Sequence, residues 1–235
     1  MIVSDQPTIF GNDITVALSS VDDGDMRFSA GNEAEARDNR IAFLSSVSID
    51  PLQATLVPIS YKDTTDFARY NVVDESHLGE GMLESSSEFH ADALIATRPD
   101  HALFLPLADC AGTVLYDTVN HILMVSHIGR HSAEVDGARR SVEYLKNEFD
   151  SKPENVKVWI SPAVGSETYP LHALNNRGLQ DVIIEQLATA GILSHNIEAS
   201  SVDTADSDNY FSHSEFLAGN RSEDGRFAIV AMMHD

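Results

Sequence analysis

One cysteine, Cys110, is all that this chain of 235 residues contains. No intrachain disulfide can form, so the fold rests on packing, for which the length is ample. Positive charge is also scarce: 15 Lys and Arg stand against 37 Asp and Glu, a net charge of −22. Such a surface repels nucleic acids and anionic membranes, and neither is an expected partner. No apolar run approaches the roughly 20 residues of a membrane span. The opening residues, Met1-Ile2-Val3-Ser4-Asp5-Gln6-Pro7, lack the basic and apolar regions of a secretory signal, and the expected location is the cytoplasm. Familiar motifs are missing too: no HxH pair, HExxH, GxGxxG, Walker loop or GxSxG. The acidic run Asp203–Asn209 lacks the glycine and closing glutamate of a calcium loop, and reads as an Asx-rich turn.

What is present is a globular composition, 43% apolar and 22% charged, with a pattern of short strands and helices. Residues 1–31 predict one or two strands, Asn32–Ser46 a helix, Leu56–Tyr61 a strand, and 74–91 a long exposed loop. The most apolar stretch holds four β-prone runs: Asp92–Thr97, Ala102–Leu107, Gly112–Tyr116 and Ile122–Ser126. Runs this uniformly apolar imply a sheet covered on both faces. A helix is expected over Ser132–Phe149, a strand at Val156–Ile160, a helix over Gly178–Ala190 stopped by Gly191, and a last strand at Arg226–Met232. The expectation is one α/β domain spanning 1–235, with no linker dividing it.

Two places are able to carry chemistry. Cys110 follows a strand directly after Asp109, where α/β proteins commonly handle ligands; the alternative is a packed structural thiol. His127 stands at the end of Ile122–Ser126, before Ile128-Gly129-Arg130-His131-Ser132. Backbone N–H groups at the start of the following helix, with Arg130, suit a small anion. The alternative is a loop histidine without a partner.

These segments resemble a family. Asp92-Ala93-Leu94-Ile95-Ala96-Thr97-Arg98-Pro99, then Ala108-Asp109-Cys110, then Ser126-His127-Ile128-Gly129-Arg130 are similar to the DALIT…P, ADC and HAGWRG elements of the laccase-domain (multicopper polyphenol oxidase-like) family, now associated with purine nucleoside phosphorylase activity. Asn39-Arg40, Ile160–Gly165, Asn176-Arg177, the stretch from Asp203-Thr204 to His213, and Gly225-Arg226 extend the likeness over roughly residues 30–233. The resemblance implies stacked mixed β-sheets flanked by helices, in α/β/β/α-like layers. It also implies a pocket built on one Cys and two His that can hold zinc, and phosphorolysis of adenosine, inosine or methylthioadenosine, with adenosine deamination. Where the family has its first ligand histidine, this chain has Ser60; His90, just before Ala91-Asp92, is the substitute the sequence offers.

The expected site therefore has Cys110 and His127 at the reacting centre. Arg130, His131, Ser60 and Asp109 are expected to bind phosphate or substrate, and Cys110, His127 and His90 any zinc. The expected partners are a purine nucleoside and phosphate. A nucleoside-binding protein without turnover and a Cys-His thiol hydrolase or deamidase are the competing readings. All of them require Cys110 and His127, seventeen positions apart, to be neighbours on one cavity.

Overall fold

The computed structural model describes residues 1–62, 65–84 and 90–234. It contains two mixed sheets. The smaller has four strands in the order β1 (Ile14–Leu18), β10 (Phe227–Met233), β5 (Ala102–Leu107) and β2 (Ala54–Leu56). The larger has six: β3 (Tyr70–Val73), β4 (Ala93–Ala96), β7 (Ile122–Ile128), β6 (Ala111–Asp117), β8 (Val156–Ile160) and β9 (Ile197–Ala199). The helices are α1 (Glu33–Ser46), α2 (Arg130–Glu134), α3 (Gly137–Phe149), α4 (Leu179–Thr189) and α5 (His213–Leu217).

Alternation along the strands builds three apolar layers. In β5, Leu103, Leu105 and Leu107 enter the interior between the sheets, while Ala102 and Phe104 turn outward onto Phe43 and Leu44 of α1. β10 divides the same way, with Ile229 and Ala231 inside and Val230 and Met232 under α1. In the larger sheet, Leu94, Val114, Leu123 and Trp159 face the interior. Ile95, Leu115, Met124 and Val158 face Val142 and Leu145 of α3 and Ile183 and Leu187 of α4. A period of two places each strand's side chains on opposite faces, so uniformly apolar strands need a cover on each. The result is the expected α/β/β/α stack.

Several expected elements differ. The single helix over Ser132–Phe149 is broken into α2 and α3 at Asp136, which adopts φ 60. The strand expected over Leu56–Tyr61 is only Ala54–Leu56. Pro58 has no N–H to continue the ladder, and the following residues leave the sheet. His127 lies inside β7 rather than beyond its end. β3 and β9, short and partly polar, were not expected. The 74–91 loop contains the fully buried Met82 and a short 3-10 turn at Glu75–His77; its residues 85–89 lie outside the described set.

The connection that matters is the one from β5 to β6. Three residues, Ala108-Asp109-Cys110, carry the chain from the small sheet to the large one. The sheets come close beside this corner: a Cβ on Gly112 would collide with Ile229 Cδ1 and lie 2.9 Å from Leu107 Cδ1. Asp109 makes the tight corner at φ 68, a left-handed conformation that aspartate tolerates better than most residues.

Candidate active site

Strand register brings the two expected residues together. β6 pairs antiparallel with β7 so that Gly112 lies opposite His127 and Ala111 opposite Ile128. Cys110, one position before Ala111, therefore comes beside Gly129. A Cβ on Gly129 would lie 2.9 Å from Cys110 Sγ and 3.4 Å from His127 Cε1; only glycine leaves that space to the thiol and the imidazole. Cys110 and His127 line one cavity of about 770 Å³.

Tyr61 is the third member of this group. Its hydroxyl is 3.3 Å from His127 Nε2 and is electrostatically coupled to the neighbouring Cys110 thiol. The opposite ring nitrogen, His127 Nδ1, is buried without a partner among the described residues. An unpaired N–H costs more than an unpaired lone pair. Nε2 therefore carries the hydrogen and donates it to the Tyr61 oxygen, leaving the phenolic O–H to point at Cys110 or into the cavity.

Asp92 holds this geometry. Its carboxylate receives a bidentate pair from Arg69, Nε at 2.8 Å and Nη2 at 3.0 Å. The same Nη2 donates to the Ser60 carbonyl at 2.9 Å, which fixes the residue before Tyr61. The Asp92 carbonyl accepts the His127 N–H at 2.8 Å. A fork between two planar groups resists rotation as well as separation, so both ends of the Tyr61–His127 contact have one anchor.

Burial controls the charge states. Desolvation, then the neighbouring Asp109 carboxylate, pushes the Cys110 thiol up to about 11. Desolvation pulls His127 down to about 4. Tyr61 is raised well above the ordinary phenol range by burial of its hydroxyl and by Cys110. At neutral pH all three groups are uncharged.

The cationic groups lie on the other wall. Arg27, Arg40, Arg226 and His213 line the same cavity. Asp224 gathers three of them: Arg226 Nη1 at 2.7 Å, His213 Nδ1 at 2.8 Å and Arg27 Nη1 at 3.2 Å. Burial alone would raise Asp224, but the hydrogen bonds from Arg226 and His213 outweigh it and hold the carboxylate at about 2. Arg40 is almost wholly buried, with Nε and Nη1 bound to the carbonyls of Met26, Gly81 and Met82. Its guanidinium lies 4.0 Å from the Phe28 ring centroid. Phe28, Ile59 and Leu107 supply apolar wall.

The expected site residues distribute unevenly. Cys110 and His127 are brought together. Asp109 is a brace: its carboxylate accepts from Thr204 Oγ1 at 2.8 Å and from the Ser214 N–H at 2.6 Å, tying the sheet corner to the start of α5 beside His213. Ser60 is buried and contributes its carbonyl to Arg69; the cavity is lined instead by its neighbours Ile59 and Tyr61. Arg130 lies exposed on α2, bound to His131, and lines a smaller hollow of about 120 Å³ that shares Ala108, Cys110 and His213 with the main cavity. The expected anion seat at that helix start has only a five-residue helix behind it. His131 stacks on Phe67, ring centroids 4.6 Å apart. His90 is exposed and lines the main cavity. It does not complete a trio, since no three His, Cys, Asp or Glu side chains converge to hold a metal among the described residues. The third group at Cys110 and His127 is a phenol, so the donor set does not fit a three-ligand zinc site. Sequence reasoning missed Tyr61, Arg27, Asp224 and the role of Arg226. The only sequence signal was indirect: Tyr61 adjoins Ser60, and Gly225-Arg226 falls in the resembling stretch.

A family model described as multi-copper polyphenol oxidoreductase laccase matches residues 28–175. A purine nucleoside phosphorylase of Bacteroides thetaiotaomicron is 23% identical over 228 residues, covering 87% of this chain and 83% of that protein. Two solved structures share the fold. Hypothetical protein YfiH of Bacillus licheniformis superposes with a TM-score of 0.83 at 20% identity, over 94% of this chain and 93% of that one. YlmD of Geobacillus stearothermophilus gives 0.85 at 16% identity, over 100% and 98%.

Proposed function

The chain belongs to the multi-copper polyphenol oxidoreductase laccase family, and from that membership and the chemistry of its cavity we propose that it is a purine nucleoside phosphorylase-like enzyme. One observation carries the reading: in a chain of net charge −22, three arginines line the cavity that holds Cys110 and His127. A local cluster of guanidinium donors overcomes an unfavourable global field because salt screens distant charges within about 8–10 Å. The named Bacteroides relative supports the same substrate class.

The division of labour follows from the walls. Arg27 and Arg226 bind orthophosphate, with Asp224 holding both guanidiniums in position. Phe28, Ile59 and Leu107 take the flat apolar faces of the nucleoside. A phosphate oxygen forms a bond to ribose C1′ as the C1′–N9 bond breaks. The bonding pair leaves with the purine, which takes a proton from water. Donors preset around the phosphate and the departing base need no reorganisation during this step.

The competing readings differ in what they need. A thiol hydrolase needs a thiolate–imidazolium pair, whereas here the thiol is pushed up and the imidazole down. Copper oxidation needs many converging ligands, and no three converge among the described residues. The deciding assay incubates inosine or adenosine with phosphate and follows release of hypoxanthine or adenine. Turnover is expected, with Arg226→Gln raising the KM for phosphate about tenfold or more, as loss of a charge-assisted fork implies. Nucleoside binding without phosphate-dependent cleavage would replace this reading with that of a binding protein.

A further inference from the structure

The family resemblance implies zinc at a Cys-His-His pocket, and the residues of this chain do not fit it. Two lone pairs are required of Cys110 and His127 for a metal: a thiolate on sulfur and a bare nitrogen at Nε2. The Tyr61 hydroxyl sits 3.3 Å from that nitrogen, with the Cys110 thiol lining the same cavity beside it. The imidazole of a metal site also normally donates its other N–H to a carboxylate or carbonyl; His127 Nδ1 has no such partner among the described residues. The anchoring in this pocket goes instead to Tyr61, through Arg69, Asp92 and the Ser60 carbonyl. The backbone before Tyr61 is therefore anchored, and the half-exposed Tyr61 side chain forms part of the cavity wall against His127.

We infer that Tyr61 takes the metal's place: its hydroxyl, set against His127 Nε2 in the cavity that Cys110 also lines, is the hydrogen-bond donor this pocket presents to a purine ring nitrogen, and the pocket works without zinc. The inference rests on the reading of this cavity as a nucleoside site for its substrate class, but not for the metal. The polarity follows from the hydrogen bonds. His127 Nε2–H donates into the Tyr61 oxygen, which leaves the phenolic O–H as the free end. A nucleoside acceptor then competes with the Cys110 sulfur, a weak acceptor. As the C1′–N9 pair moves onto the base, the Tyr61 bond strengthens, while the phenol keeps its proton.

The test uses the full chain, purified without added metal, exposed to excess zinc chloride and dialysed. Elemental analysis is expected to find far less than one zinc per chain, and the ring nitrogen signals of His127 in 15N NMR are expected to be the same with and without zinc. In Tyr61→Phe, the metal-free His127 signals are expected to shift as Nε2 loses its acceptor. Inosine affinity is expected to fall about tenfold, the size of one lost hydrogen bond, with Tyr61→Phe turnover, like that of the wild type, indifferent to chelator. About one zinc per chain, absent from Cys110→Ala, would overturn the inference. So would His127 signals or inosine affinity unmoved in Tyr61→Phe. Failure of the functional reading is separate: it shows as a wild-type chain that binds no nucleoside, while the metal and NMR results still decide whether Tyr61 stands in the metal's place.

Discussion

Cys110 shows how far a residue's chemistry depends on its surroundings. On a peptide it would be a moderately reactive thiol. At the corner between two sheets, beside the Asp109 carboxylate, its ionisation moves up to about 11. The thiolate is the reactive form, so alkylation by iodoacetamide is expected to be slow at pH 7 and to rise about tenfold per pH unit up to roughly pH 10. A rate already level at pH 9 would mean that the thiol ionises normally and would reopen the thiol-hydrolase reading. Residue identity was legible in the sequence here: Cys110 and His127 stood out by position. Tyr61 did not, because nothing in a linear pattern marks a tyrosine whose hydroxyl will meet a thiol 49 positions later in the chain.

At the scale of elements, glycines decide how closely the pieces approach. Gly112 lets β6 pass under Ile229, and Gly129 leaves room between Cys110 and His127. The two substitutions to alanine are expected to separate stability from function. Gly112→Ala forces a collision within the interior and should lower stability by roughly 1–3 kcal/mol, the usual cost of overpacking, measured by urea unfolding. Gly129→Ala meets Cys110 Sγ at 2.9 Å; a half-buried thiol can swing aside, so the expected loss falls on turnover more than on the urea midpoint. Equal effects of the two on stability would contradict this division. The strands containing or flanking these glycines were readable because long apolar runs admit few alternatives. The break at Asp136 and the early end of β2 were not. The first is a left-handed turn at Asp136, after which Gly137 packs close against Ser132; the second falls where Pro58 has no N–H to extend the ladder.

For the whole molecule, acid is the expected weakness. His127 and His101 are both depressed to about 4, each chiefly by desolvation. Unfolding returns them to about 6.5, so the unfolded chain binds more protons between these values. The stability these neutral histidines confer is complete above about pH 6.5 and is lost as pH falls through about 4. Each contributes a slope of about 1.4 kcal/mol per pH unit within that window. Urea midpoints at pH 7, 5.5 and 4.5 should fall steadily, and less steeply in His101→Gln; a flat profile would show that both histidines titrate normally. Read alone, composition and local periodicity determined the α/β class and the exclusion of disulfides, while the layered stack and the pairing of Cys110 with His127 were expected from the family resemblance. Only the tertiary structure decided which arginines face the cavity, that Arg130 lies outside it and that Tyr61 closes the Cys110–His127 pair. Those outcomes depend on where a three-residue corner joins two sheets and on ion pairs such as Arg69–Asp92 and Arg27–Asp224, between residues far apart in the chain whose partners local pattern does not specify.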